Sequence, residues 1–379
     1  MTHASIDEEY GRPRILLFSE RNIFTNPLFR CPLYEFEDII CQIDSVDVLA
    51  PQPQKWFNLG FRIANNRFLR HSTITLNPGI PKVRIRKNYD LLFGVFGRPK
   101  DLLTFNTVKN WKDCCRTSIC LIDEIWVRQL SEYECFLNIL SKFDYVMLYY
   151  SQSVKAVSEV VGDKCFFLPP GVDAILFCPY PDPPKRAIDV YSIGRRSEVT
   201  HQKLLKMAKE NKIFYVYDSI SGSEAINSKE HRLLLANAAK RSRFYIVNPG
   251  LIDRPDIRGN QIEISNRYFE GAASGTIMIG EIPKNEEYEK LFGWPDSVIH
   301  VAFGSDKIDV VIHELDKQPE RQDRVRKNNV VQCLRRHDWV YRWETVLKAA
   351  GLDPLPGLLE RKKRLENLAG TIEKETFSF

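Results

Sequence analysis

Asn260-Gln-Ile-Glu-Ile-Ser-Asn-Arg-Tyr-Phe-Glu-Gly-Ala-Ala-Ser-Gly-Thr-Ile-Met-Ile-Gly280 carries most of what this chain says about its fold. The pattern predicts a short helix that stops at Gly275 and turns at once into an apolar strand, Thr276–Ile279. Arg267 and Glu270 stand three residues apart and share one helical face. A loop–helix–strand unit that brings a carboxylate and a guanidinium to one sheet edge suits a ligand with both a diol and phosphates. A nucleotide-sugar is such a ligand.

Working outward, strand and helix alternate along the whole chain. Upstream, Arg14–Phe18, Val46–Leu49, Tyr89–Phe96, Thr117–Ile122, Tyr145–Tyr149 and Lys164–Leu168 read as buried strands. Tyr34–Ile43, a stretch near Leu102–Asn110, and Ser151–Val161 read as helices among them. Pro169–Lys185 contains six prolines and reads as a linker, since proline suits neither a helix interior nor a central strand. Alternation then restarts with strands at Ile188–Ile193, Phe214–Tyr217, Arg243–Val247 and Val298–Val301, and helices at Thr200–Asn211 and Lys229–Ala239. Pro319–Ala350 and Asp353–Ala369 are helical in pattern. Such alternation predicts an α/β protein with two doubly wound, Rossmann-like domains facing across a cleft. We place the domains at 1–180 and 181–345, with 346–379 a helical tail returning to the first.

The bulk composition fits that division, because 379 residues exceed one ordinary core. A hydrophobic fraction of 44% with 27% charged residues argues against disorder, and a net charge of +5 does not by itself imply nucleic acid. No apolar run approaches the roughly 18–20 residues of a membrane span. Met1–Arg14 is polar and carries acids, unlike a secretory leader. Nine cysteines without C-x-x-C spacing read as reduced thiols of a cytoplasmic protein, and the seven histidines form no zinc-type cluster.

Leu168-Pro-Pro-Gly-Val-Asp-Ala-Ile-Leu-Phe-Cys-Pro179 resembles the interdomain signature of GT-B glycosyltransferases. Asp189-Val-Tyr-Ser-Ile-Gly194-Arg-Arg resembles the first strand and glycine turn of their C-terminal lobe, Arg267–Thr276 their donor-binding helix, and His337-Asp-Trp-Val-Tyr-Arg342-Trp the terminal helix of a bacterial subgroup. The likeness covers about residues 165–350. It implies a metal-independent, retaining transfer from a UDP- or GDP-sugar, with no further cofactor, to a carbohydrate, lipid-linked or small-molecule acceptor. Glu270 matches the ribose-binding glutamate of the family. The partner acid seven residues earlier in many retaining members is absent, because that position is Ile262, and Glu263 is one place off. The turn also lacks the usual Arg…Lys spacing, so Arg195, Arg196, His201 and Lys203 are the candidates to offset diphosphate charge. Gly194, Asn266 and Arg267 complete the expected nucleotide contacts, and Glu263 and Arg195 are the expected catalytic residues of this lobe.

Two features lie outside the likeness. Glu124 follows the strand Thr117–Ile122 and could orient or deprotonate an acceptor hydroxyl, and beside it Asp123 reads as a helix cap. Residues 48–89 hold eight basic side chains and no acid, with large apolar residues interleaved over Trp56–Arg70. That stretch fits either an ordinary packed helix with solvated arginines or a basic face for an anionic acceptor or a membrane surface. A binding protein without activity would share the fold. A nicotinamide dehydrogenase is disfavoured, because no G-x-G-x-x-G follows a strand.

Overall fold

The structure, a computed structural model, describes residues 12–24, 26–72, 74–218 and 224–374. The chain forms two compact units. One runs to Pro169 and includes Arg342–Leu359; the other is Pro170–Tyr341 with Glu360 onward.

The first unit is built on six parallel strands: β1 (Ile15–Phe18), β2 (Val46–Leu49), β3 (Tyr89–Phe96), β4 (Cys115–Ile122), β5 (Tyr145–Leu148) and β6 (Cys165–Phe167). Their order is β2-β1-β3-β4-β5-β6. β3 and β4 pair over their full length, from Tyr89 opposite Cys115 to Phe96 opposite Ile122. Both read as near-continuous apolar runs because helices cover both faces of a parallel sheet. Phe18 packs edge-on against Phe105 and stacks with Phe96 at the centre of the core. Helix α1 (Cys31–Ile43) covers one face, and α2 (Phe57–Ala64) lies under the basic stretch. The helix expected near Leu102–Asn110 is only one turn, Leu102–Phe105, because the chain pairs as a strand again at Val108–Lys109.

The second unit has five parallel strands: β7 (Ile188–Ser192), β8 (Tyr215–Tyr217), β9 (Ser242–Val247), β10 (Ile277–Gly280) and β11 (Ile299–His300), in the order β8-β7-β9-β10-β11. This is a doubly wound order, and it reverses between β7 and β9. Helices α3 (Glu198–Lys209), α4 (Ser228–Lys240), α5 (Asn266–Ala273), α6 (Ile308–Asp316) and α7 (Pro319–Arg336) surround the sheet. α5 ends as the sequence predicts: Gly275 takes φ +62, a left-handed conformation that glycine adopts without strain. Gly271 lets α5 press onto the sheet, since a Cβ there would sit 2.7 Å from Met278 Sδ and 2.9 Å from the Tyr245 ring.

The last helical region departs from its expected form. Pro319–Ala350 divides at His337 into α7 and α8 (Trp339–Ala350), with Asp338 at the break accepting from Val340 N and Ala174 N. Helix α9 (Pro356–Lys374) contributes to both units, the division falling after Leu359. In the first unit, Trp343 donates to Asp44 at 2.9 Å and packs on Phe93. In the second, Arg361 bridges Asp173 and Asp338, and Arg335 bridges Glu366 and Glu373. Among the described residues no helix is long and apolar enough to cross a membrane.

Candidate functional site: a guanidinium cluster at the switch point of the second sheet

Strands β7 and β9 run side by side, and their following connections leave in opposite directions, which opens a crevice at their carboxyl ends. The turn after β7 is shaped by Gly194, whose φ of +84 penalises any residue with a Cβ. Asp218, just past β8, holds this turn. Its carboxylate accepts from Gly194 N at 2.9 Å and from Arg196 Nη1 at 2.6 Å, while its carbonyl takes Arg196 Nη2. Arg196 also lies over the Tyr217 ring. Ser197 then caps α3, so the turn delivers Arg196 to the amide end of a helix, a natural place for an anion.

The helix α5 approaches the same turn from the other side. Ser265 Oγ donates to Asn248 O, tying the start of α5 to the end of β9. Arg267 lies against the turn: a Cβ on Gly194 would be 3.7 Å from its Nε. Arg267 Nη1 donates to Glu270 Oε2 at 2.5 Å, and Arg232 on α4 donates to Glu270 Oε1. Tyr245 Oη reaches the same carboxylate at 3.4 Å and stacks on Tyr191. Burial alone would raise the Glu270 pKa, but Arg267 and Arg232 hold it below the usual carboxylate range. Arg267 likewise stays charged against burial through Glu270. Next to the cluster, His231 is pushed down to about 4 by burial and by the charges of Arg232 and Arg267. His231 Nδ1 and Asn266 Oδ1 are buried and make no hydrogen bond.

Several expected site residues stand elsewhere than their motif suggested. Glu270 is not an open carboxylate: its side chain is 0% exposed, and both oxygens are taken by guanidinium groups. Arg267, 21% exposed, is the member of the cluster that reaches the surface. Glu263 is buried, accepts from Gln261 Nε2 at 2.7 Å, and receives Gly250 N on its carbonyl. It therefore forms the underside of the Gly250 loop and presents no free acid. Arg195 is turned onto Asp253 with two contacts of 2.8–2.9 Å. Lys203 pairs with Asp309 on α6, away from the turn, because it falls on the α6-facing side of α3. His201 does face the crevice: with Ser192, Arg196, Asn248 and Gly280 it lines a small recess of about 20 Å³. Its Nδ1 meets Tyr215 Oη at 2.9 Å, and burial with Arg196 lowers its pKa. A second recess of about 260 Å³ is lined by Gly250, Arg258, Ile262, Glu281 and Lys284. Glu281 is the carboxylate that lines it, and it accepts from Phe303 N.

In the first unit Glu124 is engaged, accepting from Arg98 Nε and from Trp126 Nε1 at 2.8 Å. Asp123, read as a helix cap, caps nothing: burial and the adjacent Glu124 push it up to about 8. Glu20, after β1, is pushed to about 8 by burial and Asp101, although Arg30 and Gly97 N contact it. Among the described residues no group of three or more His, Cys, Asp or Glu is placed to hold a metal ion.

Sequence reasoning missed Arg232, Asp218 and Tyr245. Arg232 lies 38 residues from Glu270, and only the packing of α4 beside α5 joins them. Asp218 had a signal, an acid at the end of a strand beside the glycine turn.

Residues 202–348 match a family described as Glycosyl transferase-like. No curated protein matches the sequence. Among solved structures, an alpha-glucosyltransferase in complex with UDP and a 13-mer DNA containing an HMU base matches with a TM-score of 0.55 at 11% identity, covering 89% of this chain and 99% of that one. An alpha-glucosyltransferase with UDP-glucose and DNA containing an abasic site matches at 0.53 with 13% identity, covering 90% and 100%. At such identities the likeness is one of fold.

Proposed function

We propose that this transferase of the GT-B fold, whose residues 202–348 form a glycosyl transferase-like domain, moves the sugar of a UDP-sugar onto a hydroxyl acceptor. The observation that carries this reading is the convergence of Arg196, the amide end of α3 and Arg267 on the Gly194 turn at the switch point. Two fixed guanidiniums and a helix N-terminus match a diphosphate in charge and in hydrogen-bond geometry. The UDP held by the glucosyltransferases of like fold supports uridine over guanosine.

In the reaction the bond from the anomeric carbon to the diphosphate breaks, and the acceptor oxygen bonds to that carbon. The leaving diphosphate gains charge, and preorganised cations lower the barrier by meeting that charge where it develops. Arg196 and Arg267 supply it from this chain. Glu270 acts through Arg267: a sealed carboxylate with two guanidinium partners orients the exposed one toward the nucleotide. Glu124 and Glu263 are both occupied by neighbours, which supports a retaining course in which the donor's own phosphate oxygen takes the acceptor proton. An inverting course would need Glu124 released from Arg98 and Trp126.

The acceptor panel comprises glycan, lipid-linked and small-molecule hydroxyls. The DNA in the complexes above adds a hydroxymethylated base to it. Binding without transfer is the second reading, favoured by Ile262, which lines the Gly250 recess where many relatives place an acid. The test is a thermal-shift screen against UDP, GDP, ADP and TDP, followed by hydrolysis of the matching sugar nucleotide. UDP should stabilise, and Arg196→Ala and Arg267→Ala should each weaken it by about 1.5–3 kcal/mol, the range for charge-assisted hydrogen bonds. Stabilisation by none of the four removes the reading; UDP binding without donor turnover selects the second one.

A further inference from the structure

Helix α2 carries two adjacent apolar stripes, about 100° apart, and only one of them is covered. Phe57, Gly60 and Ala64 are buried, with Phe57 and Phe61 packed against Phe24. The neighbouring stripe, Trp56, Leu59 and Ile63, is 51%, 61% and 49% exposed. These three recur at i, i+3 and i+7, so they form one continuous ridge. The ridge is built: the Trp56 indole lies over Gly60 and Gly79, where an added Cβ would come within 2.7 Å and 3.0 Å of the ring. Beyond it, Asn66 fixes a turn by accepting from Leu69 N and donating to Ile63 O, and the turn carries Phe68, 90% exposed.

The stretch that carries this ridge, residues 48–89, holds cations and no acid. Of the eight cations in residues 48–89, Arg70 and Lys87 have acidic partners, Glu132 and Asp47. Lys55, Arg62 and Arg67 flank the ridge and are exposed, with no acid in the stretch to meet them. Scattered exposed apolar residues are ordinary on a protein surface, but a seated tryptophan, two aliphatics and a phenylalanine in one ridge, rimmed by cations that meet no acid among the described residues, are not. The aliphatic pair favours acyl chains over bases, which would stack on aromatic rings instead.

We infer that this face of the first unit docks on an anionic lipid bilayer, with Trp56, Leu59, Ile63 and Phe68 entering the interface and Lys55, Arg62 and Arg67 meeting the headgroups. This surface is independent of the nucleotide-binding reading. Its test reads binding alone, so its failure leaves that reading intact.

The experiment is sedimentation of the full chain with phosphatidylcholine vesicles, with and without one quarter phosphatidylglycerol, at low and high salt. The protein should bind the anionic vesicles, bind them less at high salt, and ignore the neutral ones. Arg62→Glu with Arg67→Glu should weaken binding roughly twenty-fold or more. Phe68→Ser, and separately Leu59→Ser with Ile63→Ser, should each weaken it roughly tenfold or more. All five positions are exposed, and circular dichroism checks that the variants fold. Absence of vesicle binding, or binding that the variants leave unchanged, overturns the proposal. A duplex oligonucleotide run in parallel overturns it too if it binds instead and responds to the arginine variants but not to the apolar ones.

Discussion

Replacing Arg232 by methionine should destabilise the protein more than removing Arg267 does, although Arg267 is the residue placed at the nucleotide. Arg232 and Glu270 are 3% and 0% exposed, so their ion pair is fully desolvated. Arg232→Met removes one of two countercharges from a sealed carboxylate, and Glu270→Gln removes the Glu270 charge from Arg232. Breaking a buried pair from one side costs about 3–5 kcal/mol, because the remaining charge stays out of water. For a unit of this size that corresponds to a fall in Tm of roughly 6–20 °C. Removing both charges, as Arg232→Met with Glu270→Leu, should recover most of the loss, since an apolar pair of similar volume is often neutral. Arg267 reaches the surface and can then turn its head to solvent along its stem. Glu270 titrates below its ordinary 4.5 when folded. Its contribution is therefore present above pH 4.5 and lost as pH falls through the depressed folded value, and the double variant should lack that acid sensitivity. The assay is urea unfolding of the whole chain at pH 7, followed by circular dichroism, with UDP titration on each folded variant. An Arg232→Met midpoint equal to the parent, or a double variant as unstable as the two single losses added, would refute the buried-pair argument.

Three other outcomes follow from the same geometry. Gly194→Ala forces a Cβ into a left-handed φ and should cost about 1–2 kcal/mol, with a loss of UDP affinity that a surface Gly→Ala change would not show. His231 titrates at 6.5 ordinarily and at about 4 when folded, so the unfolded chain takes up its proton first and stability should fall as pH drops from 6.5 toward 4. In His231→Gln that slope should flatten, as read from Tm against pH; an unchanged slope means the ring is not held neutral. Lys203→Ala should leave UDP binding unchanged within about twofold, as expected of an exposed pair on the α3–α6 side, whereas Arg196→Ala weakens it.

The alternation of apolar runs with helical periods, the proline-rich break after Leu168 and the Gly275 stop are local signals. They sufficed to determine two parallel, doubly wound sheets and the strands within a residue or two of their ends, since strand burial and helix caps are written in neighbouring residues. They also marked Gly194, Arg195, Arg196, His201, Lys203 and Arg267 as candidates around the glycine turn, because each sits at a strand end or on a helix beside it. The sequence could not tell that Glu270 is sealed by Arg232, that Arg195 and Lys203 are turned away onto Asp253 and Asp309, or that Glu263 supports a loop from beneath. The partners of Glu270, Arg195 and Lys203 are 38 to 106 residues distant, and the loop that Glu263 supports is folded back on it by tertiary packing. The same holds for α2, whose composition allowed a packed helix or a basic surface face; only the tertiary packing shows that Phe57 is covered while Leu59 and Ile63 on the adjacent stripe are bare.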